Sequence, residues 1–183
     1  MLNLLPKEID YSKYQSISGS STSKWGKSGW DFLFISITSY PIKINIKNPH
    51  HILISKSFKE LFSSLQFTLP CIYCKESYID FYKKIKIDKF LTGRIELMYW
   101  LYLIKDAVNK KLIIQELDCC KSEKKRLKRL FITNKITFDV YRELYIKFKN
   151  ETLITIESPP FKDVLDKYEM YRSVCSKKAK KCM

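Results

Sequence analysis

The sequence predicts an all-α fold: a four-helix bundle with a short fifth helix, followed by a basic C-terminal extension. Hydrophobic residues recur at helical spacing in four consecutive segments between residues 25 and 115. The links between these segments are short, as expected for a compact bundle. Glycine is scarce, with 4 in 183 residues, and proline contributes 6, so hairpin turns are few and a helical fold is favoured.

The first two predicted helices each combine an apolar face with a proline at the end. The first helix stops at Tyr40-Pro41, because the residue before a proline is displaced from the α region. Residues 42–51 are expected to link it to the second helix, which ends or kinks at Pro70. The apolar faces consist of Trp30, Leu33, Phe34 and Ile37 in the first helix, and Phe58, Leu61, Phe62 and Leu65 in the second.

The third and fourth helices follow with similar signals. Pro70 can equally open the third helix, since proline is well tolerated at the first helical position. Thr92-Gly93 is a break, after which a long fourth helix is expected. The apolar positions of the third helix are Cys71, Cys74, Tyr78 and Phe81. Those of the fourth helix are Leu97, Leu101, Ile104, Val108 and Leu112.

These segments divide the chain into three predicted regions. Residues 1–24 contain a serine-rich stretch and are expected to form a flexible polar leader. Residues 25–120 form the helical domain. Residues 121–183 form a basic, partly helical extension with a cysteine-containing tail, in which residues 138–148 fit a fifth helix and Ser158-Pro-Pro160 is a break.

Composition and charge narrow the function classes. Apolar residues make up 45% of the chain, which excludes a mainly disordered protein. No apolar run approaches the roughly 20 residues of a membrane span, and the first residues lack the features of a secretory signal. The net charge is +15, but it is spread along the chain and comes mostly from lysine, with only 5 arginines. This favours a solvated basic surface over a nucleic-acid partner.

Cys71-Ile-Tyr-Cys74 is the sharpest local feature among six cysteines. Residues i and i+3 lie on one helix face, so the two sulfurs can bond to each other. The start of a helix offers free N–H groups and the positive end of its dipole, which favour thiolate over thiol. The alternatives to a redox-active pair are that Cys71 and Cys74 form half of a zinc site or an inert reduced pair. The other candidate zinc ligands, His50-His51, Cys119-Cys120, Cys175 and Cys182, form no clean knuckle, so no metal is predicted.

A series of spaced motifs resembles the Erv/ALR flavin-linked sulfhydryl oxidases. Trp25-Gly26-Lys-Ser-Gly-Trp30 is similar to the first-helix motif of that family, and Tyr40-Pro41 follows at the family's distance. Leu69-Pro70-Cys71-Ile-Tyr-Cys74 resembles its redox-active site. Residues 105–112 are similar to its His-Asn-x-Val-Asn-x-x-Leu element, and Asp118-Cys119 to its acidic-Cys pair. The resemblance spans about residues 24–120.

The resemblance implies a fold, a cofactor and a reaction. The family fold is a four-helix bundle with a short fifth helix that holds FAD, and such proteins commonly form homodimers. By analogy, Cys71 and Cys74 are catalytic: a protein thiol attacks Cys71, and Cys74 passes the electrons to FAD and then to O2, giving H2O2. The implied cofactor-binding residues are Trp25, Gly26, Trp30, Phe34, Tyr40, Lys105, Val108, Asn109, Lys110, Lys111 and Leu112, with Lys110 and Lys111 placed to meet the pyrophosphate.

Several positions depart from the family pattern. Phe34 stands where most members have histidine, and Lys105-Asp106 replaces His-Asn. Cys119 corresponds to a structural cysteine whose usual partner position, near residues 135–137, has no cysteine. These departures resemble members from large DNA viruses, which implies a location in the host cytoplasm or the virion. By the same resemblance, Cys175 and Cys182 could shuttle electrons to the CxxC pair, against the alternative of two incidental thiols.

Three functions follow in order of preference. The first is a FAD-dependent thiol oxidase that forms disulfide bonds in protein substrates. The second is a redox-inactive helical scaffold or dimerisation module of the same fold, for use in virion assembly, in which Phe34, Lys105 and Asp106 have abolished flavin binding. The third is a basic protein associated with nucleic acid, recognised by steeply salt-dependent duplex binding.

Overall fold

The structure is a computed structural model and describes residues 20–172. This part of the chain is all-helical, as predicted, with six α-helices and one short 3₁₀ helix at Ile87–Phe90. The α-helices are α1 Thr22–Ile37, α2 Pro49–Thr68, α3 Ile72–Lys84, α4 Arg94–Ile132, α5 Phe138–Thr152 and α6 Phe161–Glu169. Helix α4 contacts α1, α3, α5 and α6, and α2 packs on α3.

Helix α2 begins at Pro49, inside the linker predicted at residues 42–51. Pro49 occupies the first helical turn, and the side chain of Asn48 accepts a hydrogen bond from the backbone N–H of His50. A proline loses nothing at this position because its missing N–H would have no partner in the helix. The proline that suggested a linker therefore starts the helix, with asparagine as its cap.

Aromatic side chains fill the core where α2, α3 and α4 meet. Phe62 and Trp100 are fully buried and pack edge to face, with ring centroids 4.8 Å apart. The polar atoms of the core aromatics are satisfied. The Nε1 of Trp100 donates to the carbonyl of Ile85 at 2.7 Å, and the hydroxyl of Tyr78 donates to the carbonyl of Phe62 at 2.9 Å. These bonds join three helices without leaving a buried polar group unpaired.

Helix α4 is much longer than the fourth helix expected from apolar spacing. It runs unbroken for 39 residues, about 58 Å, and passes through the boundary predicted at residue 120. Lysine and arginine are good helix formers, so the basic cluster at 121–129 continues the helix. Cys120 and Leu127 are buried on this half of α4, which contacts α5. The domain boundary itself stays a prediction, but no break in the backbone marks it.

The remaining described residues return along α4. Residues 153–160 form no regular secondary structure, and the carboxylate of Glu116 accepts a hydrogen bond from the backbone N–H of Thr155 at 3.1 Å. Helix α6 then packs against α4. The predicted fifth helix at 138–148 is present as α5, but α6 was not anticipated as a separate element. None of the helices in residues 20–172 is both long and apolar enough to span a membrane.

Candidate redox site

Cys71 and Cys74 lie at the start of α3. Cys71 is the N-cap residue, with φ −126° and ψ 127°, and Cys74 lies in the first turn. Both side chains are half-buried and both are free thiols. The backbone N–H of Ser20 donates to the carbonyl of Pro70 at 2.7 Å, which ties the segment before α1 to the residue before the pair. Pro70 follows the end of α2, as predicted, but it does not occupy the first position of the third helix, because Cys71 is the N-cap and α3 begins at Ile72.

The environment of Cys71 favours its thiolate. The hydrogen bond from the Cys74 thiol lowers the pKa of Cys71 most, and it outweighs the opposing effect of burial. The backbone N–H groups of Cys74 and Tyr73 lower this pKa further. As a neutral thiol Cys71 forms no capping hydrogen bond, whereas a thiolate can accept from the unpaired N–H groups of the first helical turn. Cys71 is thus the nucleophilic member of the pair.

Cys74 has the opposite character. Burial raises the pKa of Cys74 to about 12, and the hydrogen bond and charge of Cys71 contribute in the same direction. Lys111 acts against this, because its positive charge lowers the pKa of Cys74. The pair is therefore asymmetric, with an easily ionised sulfur at the N-cap and a sulfur inside the helix that holds its proton.

Lys111 is the cation that reaches this site from α4. Its Nζ donates a hydrogen bond to the Oγ of Ser77 on α3. Ser77 lies one turn after Cys74, so Ser77 and Cys74 share a face of α3. The sequence resemblance assigned Lys111 to a pyrophosphate, whereas the structure places its ammonium group between α4 and the CxxC helix. The assignment to FAD stays a prediction.

Four predicted cofactor residues lie along α1, and three of them are partly exposed. Trp25 is half-buried, and its Nε1 points to the carbonyl of Ser20 at 3.4 Å. Gly26 has open space beside its Cα, since a Cβ there would find only Thr22 at 4.0 Å. Trp30 is half-buried and packs against the hydrophobic core.

Phe34, which replaces the family's histidine, is fully buried beneath α6. The ring of Tyr168 stacks on it with centroids 4.6 Å apart and planes 8° from parallel. The hydroxyl of Tyr168 donates to Oδ1 of Asp31 at 2.6 Å. This hydrogen bond lowers the pKa of Asp31 more than the nearby Lys167 and Lys27 do. Both partners of Tyr168 belong to α1, so this tyrosine anchors α6 to that helix.

The predicted α4 residues Lys105, Val108, Asn109 and Leu112 share one face of the helix, at positions i, i+3, i+4 and i+7. Asn109 donates from Nδ2 to the Oγ of Ser158 at 3.0 Å. Lys105 is half-buried, and burial together with the charge of Lys167 lowers its pKa. Val108 is half-buried, whereas Leu112 is 40% exposed.

Two predicted cofactor residues have other partners in the structure. Tyr40 is fully buried, and its hydroxyl donates to the carbonyl of Leu91 at 2.8 Å. Its ring also packs edge to face on Phe58, with centroids 5.2 Å apart. Lys110 is exposed and pairs with Asp106 one turn earlier at 2.7 Å. The structure gives both residues a role in packing or in a surface ion pair, and their contact with FAD stays a prediction.

The side chains that α1 and α4 offer suit FAD chemically, but other residues of the chain fill part of the space that the cofactor would need. The half-buried Trp30 offers an aromatic face, and Lys105 offers a cation for phosphates. However, Tyr168 covers Phe34, and Ser158 occupies the amide of Asn109. FAD cannot use the Phe34 face or this amide while residues 158–168 lie here.

The other cysteines are placed differently. Cys119 is exposed and Cys120 is buried, both within α4, and both are free thiols. Cys175 and Cys182, the predicted shuttle pair, lie outside the described residues. Within residues 20–172, no group of three or more His, Cys, Asp or Glu side chains is placed to hold a metal ion.

Sequence reasoning missed the residues that α6 brings to this region. Phe161, Val164, Leu165 and Tyr168 follow the spacing i, i+3, i+4 and i+7 directly after Pro159-Pro160, which is a helix signal. All four pack on or within the core cluster. The signal was present, but the spacing of one short helix does not say which groove it enters.

Comparison with known proteins identifies the class. The model of the Erv1 / Alr family matches residues 27–128, which include α1 to α3, most of α4 and the CxxC pair. The chain belongs to the Erv1 / Alr family.

Solved structures that match part of this chain include the yeast Erv1 core and a double cysteine-to-serine mutant of Erv1 from Saccharomyces cerevisiae. Each is 20% identical to this chain and covers 60% of it, and the match covers 83% of the other chain. The TM-scores are 0.44 and 0.43. A search of curated proteins gave no match.

Proposed function

We propose that this protein is a FAD-dependent thiol oxidase that forms disulfide bonds in protein substrates and passes the electrons to O2, giving H2O2. The observation that carries the proposal is the asymmetric CxxC pair at the start of α3. Cys71 has a lowered pKa and Cys74 a raised one, within a chain of the Erv1 / Alr family. A thiol–disulfide exchange needs one sulfur that the substrate thiolate can attack and a second sulfur that leaves when the disulfide bond breaks.

The cycle starts from a Cys71–Cys74 disulfide. A substrate thiolate attacks the Cys71 sulfur, the Cys71–Cys74 bond breaks, and Cys74 leaves as a thiolate. The ammonium group of Lys111 stabilises this thiolate, because its charge lowers the pKa of Cys74. A leaving sulfur with a lower pKa departs faster. Lys111 therefore acts on the step that forms the mixed disulfide.

A second substrate thiolate then attacks the substrate sulfur of the mixed disulfide. The substrate disulfide forms and Cys71 leaves, stabilised by the N–H groups of Tyr73 and Cys74. Two substrate thiols have lost two electrons and two protons, and the CxxC pair has become a dithiol. FAD, when bound, supplies the two-electron transfer from this dithiol to O2, which takes up two protons to give H2O2.

Side chains on α1 and α4 would hold the cofactor. Trp30 and Trp25 would supply aromatic faces, Gly26 a close backbone approach, and Lys105 a cation. Gly26 supports this role because a Cβ at that position would meet no atom closer than 4.0 Å, so the backbone is open to a ligand.

The family resemblance extends the proposal to assembly and location. Homodimerisation through a helical face follows from the resemblance to the family, and a place in the host cytoplasm or the virion follows from the similarity to its members from large DNA viruses. Cys175 and Cys182 would carry electrons from substrate to Cys71. Turnover of protein thiols by Cys175→Ser and Cys182→Ser variants tests the shuttle, since unchanged rates would exclude it.

A visible spectrum of the purified protein is the first test of the function. Bound oxidised flavin absorbs at about 450 nm. When reduced protein substrates are added, their oxidation by the protein should consume O2 and release H2O2. Cys71→Ser and Cys74→Ser should keep the pigment and lose turnover, whereas Cys119→Ser, an exposed thiol outside the pair, should keep both. A protein that takes up no FAD from solution contradicts the proposal.

A second candidate function rests on the stack between Phe34 and Tyr168. If this contact is permanent, the protein is a redox-inactive helical scaffold that uses the Erv fold for assembly. A colourless protein that stays colourless when FAD is added, in the wild type and in Tyr168→Ala, supports this candidate.

A further inference from the structure

The segment 153–169, named here the strap, consists of residues 153–160, which form no regular secondary structure, and α6. It lies along α4 from Glu116 to Arg94, a distance of about 33 Å at the rise of an α-helix. Two of its contacts fall on residues that the family resemblance assigns to FAD. Phe34 lies under Tyr168, and Asn109 donates to Ser158.

The strap is held by a few separate anchors. Tyr102 donates to the carbonyl of Pro159 at 3.0 Å, and Phe161 packs edge to face on Tyr99 with centroids 4.9 Å apart. The ring of Tyr168 stacks on Phe34, and its hydroxyl donates a hydrogen bond to Asp31. Among the described residues, no series of backbone hydrogen bonds joins the strap to α1 or α4. Release therefore requires breaking side-chain contacts without dismantling α1 or α4.

Helix α6 depends on these anchors for its own stability. It has 9 residues, and isolated helices shorter than roughly 12–15 residues are marginal in water. Undocking of the strap therefore also unfolds α6. This makes docking visible in the exchange of the α6 backbone amides, independently of any activity.

We propose that the strap and FAD compete for the face of α1 and α4 that carries Phe34 and Asn109, so that the docked strap keeps the cofactor site closed and cofactor uptake requires α6 to undock. The inference rests on the proposed function, because it takes this chain to bind FAD, and on the family resemblance, which assigns Phe34 and Asn109 to that cofactor. The affinity of the full chain for FAD is then reduced by the fraction of molecules whose strap is docked. A segment of the chain itself controls how much of the protein carries cofactor.

The first test measures FAD binding to the full-length protein by titration of FAD absorbance and fluorescence. Tyr168→Ala removes the stack on Phe34 and the bond to Asp31, and it should bind FAD tighter by on the order of tenfold or more. Tyr168→Phe keeps the ring and should give a smaller gain. Lys162→Ala is the matched control on the outer face of α6, where Lys162 pairs only with Asp166, and it should stay within about twofold of the wild type.

The second test uses the wild type alone and so does not depend on a variant that folds. Hydrogen exchange of the α6 amides should become faster when FAD is added, because FAD displaces the strap. Slower exchange, together with weaker FAD binding by Tyr168→Ala, would show that α6 forms a wall of the cofactor site and would overturn the competition.

The outcomes separate this inference from the proposed function. If the wild type binds FAD while exchange in α6 is unchanged and Tyr168→Ala binds no tighter, the strap inference fails and the oxidase proposal stands. If neither protein binds FAD, both proposals fail together.

Discussion

Arg94 and Glu169 form an ion pair that joins the start of α4 to the end of α6, with Nη1 and Oε2 3.1 Å apart. Arg94 is only 7% exposed, and its Nε also donates to the carbonyl of Tyr40 at 2.7 Å. A buried guanidinium requires such partners, because losing one leaves a charge without compensation. The pair thus connects the first helix end, the fourth helix and the strap.

Glu169→Ala should therefore lower the free energy of unfolding by about 1–3 kcal/mol, as expected when a hydrogen-bonded partner of a mostly buried charge is removed. Urea denaturation followed by circular dichroism measures this change. The control is Asp166→Ala on the same helix, which breaks an exposed pair with Lys162 and should cost about 0–1 kcal/mol. Equal losses in the two variants would contradict the assigned role of Arg94.

Phe62→Ala should be among the most destabilising core substitutions. Phe62 is fully buried against Trp100, and removing a buried aromatic ring typically costs about 3–5 kcal/mol through lost burial and a cavity. Phe67 lies five residues later on α2 but is 74% exposed, so Phe67→Ala should change the free energy of unfolding by only about 0.5 kcal/mol. Thermal denaturation of both variants checks the prediction, and a small effect at Phe62 would contradict the assigned core.

Lys111→Met should slow the attack of small thiols on the Cys71–Cys74 disulfide by about three- to tenfold, because Cys74 leaves without a nearby cation. Stopped-flow reaction of the oxidised protein with glutathione measures the rate. Lys110→Met is the matched control, since Lys110 is the next residue but pairs with Asp106 on the surface. The assignment fails if both variants react at the wild-type rate or if the control slows as much.

The pH dependence of alkylation should distinguish the two sulfurs. The pKa of Cys71 is lowered, so its alkylation by iodoacetamide should reach half its maximal rate below the ordinary thiol value of 9.0. Because Cys74 has a pKa of about 12, it should remain slow throughout the neutral and mildly alkaline range. Mass spectrometry of the labelled peptides gives both rates.

Cys74→Ala should move the Cys71 midpoint back up, because the hydrogen bond that contributes most to the lowered pKa is lost. Cys119→Ser should leave the midpoint unchanged, since Cys119 belongs to the exposed part of α4. Equal labelling rates for Cys71 and Cys74 would exclude the proposed asymmetry.

Local patterns predicted much of the helical fold. The apolar spacing of Leu33, Phe34 and Ile37 is enough to define a helix face, and all three are buried as the spacing requires. Pro70 and the CxxC motif similarly predicted cysteines at a helix start. Such signals are local because capping and the fixed φ of proline depend on neighbouring residues alone.

The sequence by itself therefore determined the helices of the family domain and the presence of two neighbouring thiols at a helix start. Only the tertiary structure decided which thiol has the raised pKa, that Lys111 reaches α3, and that α6 covers Phe34. Burial and charge contacts depend on residues far apart in the chain, such as Asp31 and Tyr168. Helical spacing shows that a face is apolar, whereas its partner is chosen by packing among all the helices.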